Sequence, residues 1–206
     1  METNATMRRP TAEQLRQELE RVQKKRNGPA VILRVFLFLL VVVLIAAITF
    51  FCLLSGYVIY GDSMSPTLEE GDMVLAIPKA VIHDGDIVAF KQEDRVLIKR
   101  AIAGPGDRVE VLPDGRVILN GAELSEPYSM FGENGIDDTS YPLEISSGSW
   151  FVLGDNRSTS VDSRSRILGL IDNSKMQGKV FIRVWPLTRW EVFDPDFPKE
   201  LLETLK

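Results

Sequence analysis

The sequence predicts a mainly β domain that follows one N-terminal transmembrane helix. Residues 35–54 are twenty consecutive residues without a charge. At about 1.5 Å per residue they form roughly 30 Å of helix, which matches the hydrocarbon thickness of a bilayer. After residue 60 the pattern changes to short runs rich in Val, Ile and Phe, separated by Gly, Pro and Asp. This second pattern is typical of antiparallel β domains.

The apolar run has two other interpretations. A buried core helix keeps a polar face, and this run shows none. A cleaved signal peptide has a shorter apolar region, and here more than thirty residues precede the run. We therefore predict a permanent signal anchor at residues 31–56.

The charges on the two sides of the run predict its orientation. Residues 1–34 contain eight basic and four acidic residues, whereas residues 61–206 contain 16 basic and 25 acidic residues. The positive-inside rule places the basic tail, residues 1–30, in the cytoplasm and the domain at residues 57–206 outside the cell membrane. The basic flank suits anionic membrane lipid. Nucleic acid is not an expected partner, because no basic stripe lies elsewhere.

Helix signals are also present near both termini. Thr11 and Gln14 have the spacing of a capping box, and residues 27–29, Asn-Gly-Pro, predict a helix stop before the anchor. Pro198 suits the first turn of a short C-terminal helix.

Two reactive residue types are nearly absent. Cys52, the only cysteine, lies in the apolar run, so the exported domain has no disulfide, Cys-rich metal site or thiol nucleophile. His83, the only histidine, lies in a polar loop and is predicted to be solvated; a Ser-His-Asp triad would have to use it. We expect neither a metal nor a cofactor.

The β domain divides into a main part and a smaller β excursion at about residues 108–150. Turn residues at 113–115 and 120–121 predict a hairpin with a return strand over residues 108–124. Residues 125–147 lack a clear period and are predicted to form a mobile or partly disordered loop. Strands are predicted at residues 72–77, 86–91, 96–102, 108–112, 117–119, 149–153 and 179–185.

Lys99 is the first candidate for chemistry. Strand alternation puts it on one face with the apolar residues Leu97 and Ala101. Burial there lowers the pKa of a lysine from about 10.4 and makes a neutral amine available as a base. The alternative is a solvated lysine at a strand edge that has no catalytic role.

Two polar segments accompany it. Residues 61–68 form a turn-like stretch with two serines, Ser63 and Ser65, which is either a site loop or a linker from the membrane. Residues 154–164 are dense in hydrogen-bonding side chains, and an Asp-Arg pair at i, i+2 spacing would brace them. Carboxylates at 155 and 162 could bind a metal, but the arginines at 157 and 164 favour ion pairs instead.

Four motifs together resemble those of bacterial type I signal peptidases, in the short single-anchor form that uses a Ser/Lys dyad. The motifs are GDSMSPTL at 61–68, GDIVAF at 85–90, LIKRAIAGPGD at 97–107 and GDNRSTSVDSR at 154–164. Their order, their spacing and the preceding anchor agree with that family, and the resemblance extends to about residue 187. It implies a signal-peptidase-like antiparallel β fold.

The resemblance also implies roles for individual residues. Ser63 is expected to be the nucleophile and Lys99 the general base, with Ser160 hydrogen-bonded to the lysine. Substrates are expected to be preproteins with small residues at the first and third positions before the cut. The expected supporting residues are Asp162, Arg164 and Met64, and the expected pocket walls are Ile59, Leu68 and Ile98.

One departure from the family pattern concerns Gly61. Some members carry at this position a serine whose hydroxyl completes the oxyanion hole. With glycine here, the Ser63 N–H is one donor to the oxyanion, and the sequence does not identify the second donor. A lost donor costs roughly two to three powers of ten in rate.

The rival hypothesis is a catalytically silent, membrane-tethered β module that binds preproteins. A self-cleaving Ser-Lys repressor would carry a DNA-binding domain in place of the anchor, and the sequence does not indicate an oligomeric state.

Overall fold

The computed structural model describes residues 11–132 and 135–193. The chain divides into two compact units, Met1–Cys52 and Leu53–Lys206. The predicted C-terminal helix from Pro198 and the first ten residues of the basic tail lie outside the described residues.

The described part of the first unit is one long helix, α1 (Ala12–Cys52). Its start is the predicted capping box, in which the Thr11 N–H donates to the Gln14 side chain at 3.0 Å and the Gln14 N–H donates to the Thr11 hydroxyl at 3.4 Å. The window Val31–Thr49 has a mean hydropathy of 3.2 and is long and apolar enough to cross a membrane. None of this window is buried, which does not fit the alternative of a core helix.

The boundaries of α1 differ from the prediction at two places. The predicted stop at residues 27–29 is wrong, because α1 continues through it. Proline removes one main-chain donor from a helix, and α1 nevertheless continues on both sides of it. The helix ends at Cys52 rather than at residue 56, because residues from Ser55 onward pair with a neighbouring strand.

The second unit consists of twelve strands within the described residues. All seven predicted strands are present, with ends shifted by three residues at most. The strands are β1 (Ser55–Val58), β2 (Met73–Ile77), β3 (Ile87–Gln92), β4 (Arg95–Ala103), β5 (Arg108–Val111), β6 (Val117–Leu119), β7 (Ala122–Glu123), β8 (Leu143–Glu144), β9 (Ser149–Leu153), β10 (Ile171–Asp172), β11 (Met176–Trp185) and β12 (Glu191–Val192).

These strands form two antiparallel sheets. The larger sheet has the order β1-β2-β11-β3-β4-β9-β10, with β12 paired to β11. The smaller sheet has the order β7-β6-β5-β8 and contains the predicted hairpin with its return strand. Gly115 and Gly121 occupy its turns with φ of 87° and 86°, a conformation that favours glycine. The mainly β fold class is therefore confirmed.

The core of the domain lies in three clusters of buried side chains. The first joins the ends of β4 and β9 to the smaller sheet, and the second underlies the segment that carries Ser63. The first cluster comprises Ile102, Ala103, Val109, Val111, Val117, Ile145, Phe151 and Leu153. The second comprises Ile59, Met64, Leu68, Val74, Ala76, Ile87 and Val180. The third comprises Val88, Phe90, Ala101, Trp150, Val152, Leu168 and Ile171.

Candidate active site

The structure brings Ser63 and Lys99 into direct contact. Lys99 lies on β4, and Ser63 lies in the turn that follows β1. The Lys99 Nζ donates a hydrogen bond to the Ser63 Oγ at 2.6 Å. With a neutral amine the same short contact lets the serine hydroxyl donate to the nitrogen lone pair, which is the geometry of a base beside a nucleophile.

The Lys99 side chain is buried, as the strand alternation predicted, with 4% of the residue exposed. Burial lowers the pKa of its amine from the usual 10.5 to about 8, because the charged form loses its hydration. The nearby carboxylates of Asp162 and Asp155 act in the opposite direction and raise this pKa. The amine is therefore neutral in a substantial fraction of molecules near pH 8.

The turn that carries Ser63 is held by main-chain hydrogen bonds within it and by one buried apolar side chain. The Ser65 N–H donates to the Asp62 carbonyl at 3.0 Å, and the Leu68 N–H donates to the Met64 carbonyl at 2.8 Å. Met64 is 1% exposed and packs in the second core cluster, which fits its expected supporting role. Ser63 is thereby presented from a fixed turn rather than from a free linker.

One oxyanion donor is available at this turn. Among the described residues the Ser63 N–H donates no hydrogen bond, whereas the Ser63 carbonyl accepts one from the Asn156 N–H at 3.1 Å. Gly61 has φ of 78° and contributes no side-chain donor. The site thus offers the Ser63 main-chain N–H to a developing oxyanion. The described residues do not identify a second donor.

The predicted Asp-Arg brace is present. Arg164 binds both carboxylate oxygens of Asp162 at 2.8 Å, and both side chains are fully buried. The Gly154 N–H donates to the same carboxylate at 3.0 Å. Asp162 therefore joins the two ends of the loop at residues 154–164.

A second arginine-carboxylate ion pair was not predicted from the sequence. Asp155 accepts from Arg100 on β4 at 2.9 and 2.6 Å and from the Thr67 hydroxyl at 2.5 Å. The ion-pair interpretation of this loop is confirmed, but the partner of Asp155 lies on another strand rather than beside it. Among the described residues no group of three or more His, Cys, Asp or Glu side chains is placed to hold a metal ion.

The expected hydrogen bond between Ser160 and Lys99 is absent. In the described part of the chain the Ser160 hydroxyl is buried without a partner, because the Lys99 amine is directed to Ser63 instead. Ser160 lies against Gly154 together with the Ser63 carbonyl. A Cβ on Gly154 would stand 2.5 Å from Ser160 Cβ and 2.5 Å from that carbonyl oxygen, so only glycine permits this approach.

A groove of about 670 Å³ begins at the Ser-Lys contact. The predicted walls Ile59 and Ile98 line it, but Leu68 does not; it is fully buried in the second core cluster. Sequence reasoning missed several lining residues because they belong to β1 and to the start of β4. The groove is lined by Gly56, Tyr57, Val58, Ile59, Tyr60, Ser63, Met64, Arg95, Val96, Leu97, Ile98 and Lys99.

Two strand edges frame this groove. β1 pairs only with β2, and β4 pairs with β9 only from Arg100 onward, so among the described residues the outer edges of β1 and of residues 95–99 have no strand partner. Unpaired edges bind extended peptides through main-chain hydrogen bonds. His83, in contrast, is exposed and takes no part in the site.

Comparison with known proteins identifies the family. Residues 32–185 match the family described as signal peptidase, peptidase S26. The chain belongs to this family. It is 34% identical over 170 residues to signal peptidase IB of Staphylococcus aureus (strain MRSA252). The matched region covers 71% of this chain and 86% of that protein.

Other members of the signal peptidase family are similar to this one. Signal peptidase I of Bacillus caldolyticus is 34% identical over 154 residues, 66% of this chain and 82% of that protein. A crystal structure of a signal peptidase I from Enterococcus faecalis V583 has 28% sequence identity and a TM-score of 0.40, and it covers 48% of this chain and 97% of that chain.

The first prediction concerns the pH dependence of this family member. In Asp162→Asn, the carboxylate that raises the pKa of Lys99 most is lost, while Arg164 still lowers it, so the pKa of Lys99 falls. The Lys99 amine is then neutral at lower pH. For an enzyme that uses this amine as its base, the acid limb of kcat/KM moves from near pH 8 to lower pH. The measurement is the pH profile of peptide cleavage.

The matched control is Asp114→Asn, an exposed carboxylate in the turn between β5 and β6. Its acid limb is expected to coincide with that of the parent, because exposed distant charges are screened. An acid limb that stays in place or moves to higher pH in Asp162→Asn would contradict the electrostatic description of the site.

Proposed function

We propose that this chain is a membrane-bound serine endopeptidase that removes N-terminal signal peptides from exported preproteins, with Ser63 as nucleophile and Lys99 as general base. The observation that carries the assignment of residues is the 2.6 Å contact between the buried Lys99 amine and the Ser63 hydroxyl. The family match supports the reaction class.

The proposed reaction begins with proton transfer. The neutral Lys99 amine takes the proton of Ser63, and the serine oxygen attacks the scissile carbonyl. The Ser63 N–H stabilises the oxyanion, and the protonated amine then delivers its proton to the leaving amine. The products of this half-reaction are an acyl-enzyme on Ser63 and the free N-terminus of the mature protein.

The second half-reaction releases the signal peptide. Lys99, neutral again, takes a proton from water, and the resulting nucleophile attacks the ester on Ser63. The protonated amine then returns this proton to the Ser63 oxygen as the bond to the acyl carbon breaks, which restores the hydroxyl and the neutral amine. Both halves use the same amine, so one pKa near 8 suits both steps. The residues of the dyad are sufficient for this chemistry, and we propose that the enzyme uses no cofactor.

The groove suggests how the substrate is bound. An extended segment placed between the free edges of β1 and β4 alternates its side chains, so the first and third residues before the cut face the same wall. Ile59 and Met64 line that region and are almost fully buried, which leaves little depth for large side chains. Small residues at these two positions are therefore the proposed specificity.

The membrane topology is also a proposal. The window Val31–Thr49 serves as a single-pass anchor. The basic tail of residues 1–30 stays in the cytoplasm, and the acidic domain lies outside, where it meets exported preproteins and membrane lipid.

The second prediction tests the dyad directly. Ser63→Ala and Lys99→Ala are expected to lose cleavage of a preprotein with an Ala-x-Ala site by about four powers of ten or more, because each removes one half of the nucleophile-base unit. Cleavage is measured with the full chain in detergent or lipid.

Two controls accompany these variants. Ser65→Ala removes the neighbouring serine of the same turn, and Lys91→Ala removes an exposed lysine on the adjoining strand β3. Both are expected to cleave at close to the parental rate. A folded parent that cuts no preprotein would instead favour the silent binding module.

The third prediction tests the topology. In sealed vesicles with the outer face of the cell membrane exposed, added protease is expected to degrade the β domain and to spare an epitope fused before residue 1. Detergent is then expected to make the epitope accessible. Protection of the β domain in intact vesicles of this orientation would reverse the proposed topology.

A further inference from the structure

Residues 126–131, here called the strap, lie against Arg157 of the loop at residues 154–164 and against Arg100 of β4. The strap connects strands of the smaller sheet, and the sequence analysis predicted it as part of a mobile loop. Its Glu126 carboxylate binds Arg157 at 2.5 Å, and both side chains are fully buried. The Ser129 hydroxyl accepts from Arg157 at 2.9 Å, and the Tyr128 ring lies 3.7 Å from the Arg100 guanidinium.

The main chain of the strap is bonded to the same loop. The Met130 N–H donates to the Asp155 carbonyl at 2.8 Å, and the Arg157 N–H donates to the Met130 carbonyl at 3.2 Å. The Arg157 side chain also donates to the Gly154 carbonyl at 3.1 Å and to the Gly115 carbonyl in a turn of the smaller sheet. Arg157 thus ties the turn at residues 154–157 to the smaller sheet.

That turn contacts Ser63 and acts electrostatically on Lys99. The Asn156 N–H holds the Ser63 carbonyl at 3.1 Å. The Asp155 carboxylate raises the pKa of Lys99, on which Asp162, Arg164 and Asp62 also act. A shift of residues 154–157 would therefore move the nucleophile turn and change the charge around the base.

Stability alone does not account for this buried pair. Replacing a buried ion pair by apolar residues of similar volume is often neutral or stabilising, because removing two charges from water costs as much as their attraction gains. A guanidinium with several fixed partners does, however, define one orientation of the main chain that surrounds it.

We propose that Arg157, held by Glu126 and Ser129 of the strap, is a positioning residue for catalysis, which sets residues 154–157 against Ser63 and Lys99. The smaller sheet then supports the reaction although none of its strands lines the groove. This inference rests on the proposed function, because it concerns the same reaction.

The test is the double variant Glu126→Leu/Arg157→Met in the full chain, which replaces the pair by apolar side chains. Its melting temperature is expected to stay close to that of the parent. Its kcat is expected to fall by between about tenfold and a hundredfold, with KM changed by less than about twofold, because misplacement of the dyad affects the transition state. The acid limb of kcat/KM is expected to move to lower pH as the Asp155 carboxylate leaves Lys99.

Two further variants separate positioning from charge. Arg157→Lys keeps the positive charge but lacks the planar fork, so its kcat is expected to lie between those of the parent and the double variant. The matched control is Arg116→Met/Glu123→Leu, an exposed ion pair of the same small sheet. It is expected to keep the parental kcat, KM and pH profile.

Each outcome decides between the alternatives. A folded double variant with the parental kcat and acid limb overturns the positioning role, while the parent's own activity leaves the proposed function intact. If the double variant does not fold, Ser129→Ala serves in its place, since it removes one hydrogen bond to Arg157. A lower kcat with a moved acid limb supports the role, and parental values overturn it. A folded parent that cuts nothing contradicts the proposed function and this inference together.

Discussion

The burial of the Lys99 amine is the constraint on which the rest of the site depends. A charged lysine loses its hydration there, and this loss brings its pKa down to about 8. The two carboxylates that raise this pKa most, those of Asp162 and Asp155, would restore the charged form if either paired with the amine. Each is instead bonded to an arginine, Arg164 and Arg100, so the amine keeps its short contact with Ser63. By holding these carboxylates, the arginines favour the neutral form of the amine that the proposed mechanism needs.

Three buried arginine-carboxylate pairs surround the dyad, and they link parts of the chain that are distant in sequence. Arg164 closes the loop at residues 154–164 on itself, Arg100 fastens that loop to β4, and Arg157 fastens it to the strap. Such pairs contribute little net stability but define geometry when every donor is used. The larger sheet carries Lys99, and the turn after its strand β1 carries Ser63. Most residues that line the groove belong to β1 and β4 of this sheet or to that turn. The smaller sheet is bonded to the back of the same loop.

The sequence predicted those features that depend on local patterns. Alternation in β4 predicted the buried Lys99, turn residues predicted the hairpin of the smaller sheet, and the i, i+2 spacing predicted the pair of Asp162 and Arg164. Features that depend on distant contacts were missed: Asp155 pairs with Arg100 across 55 residues, and Glu126 pairs with Arg157 across 31. The prediction that Leu68 lines the substrate pocket was wrong, because an apolar residue fits a pocket wall and a buried core equally well. The short segment at residues 55–58, Ser-Gly-Tyr-Val, likewise suits a helix end or a strand, and its pairing with β2 makes it a strand.

The pKa of Lys99 tests this account most directly. Its side chain can be followed by NMR in the full protein in detergent micelles with isotope-labelled lysine, and the resonance that disappears in Lys99→Arg identifies it. The account predicts that this resonance titrates near pH 8. Titration near 10.4, the value of a solvated lysine, would contradict it, because the amine would then carry a proton under working conditions and could not act as the base.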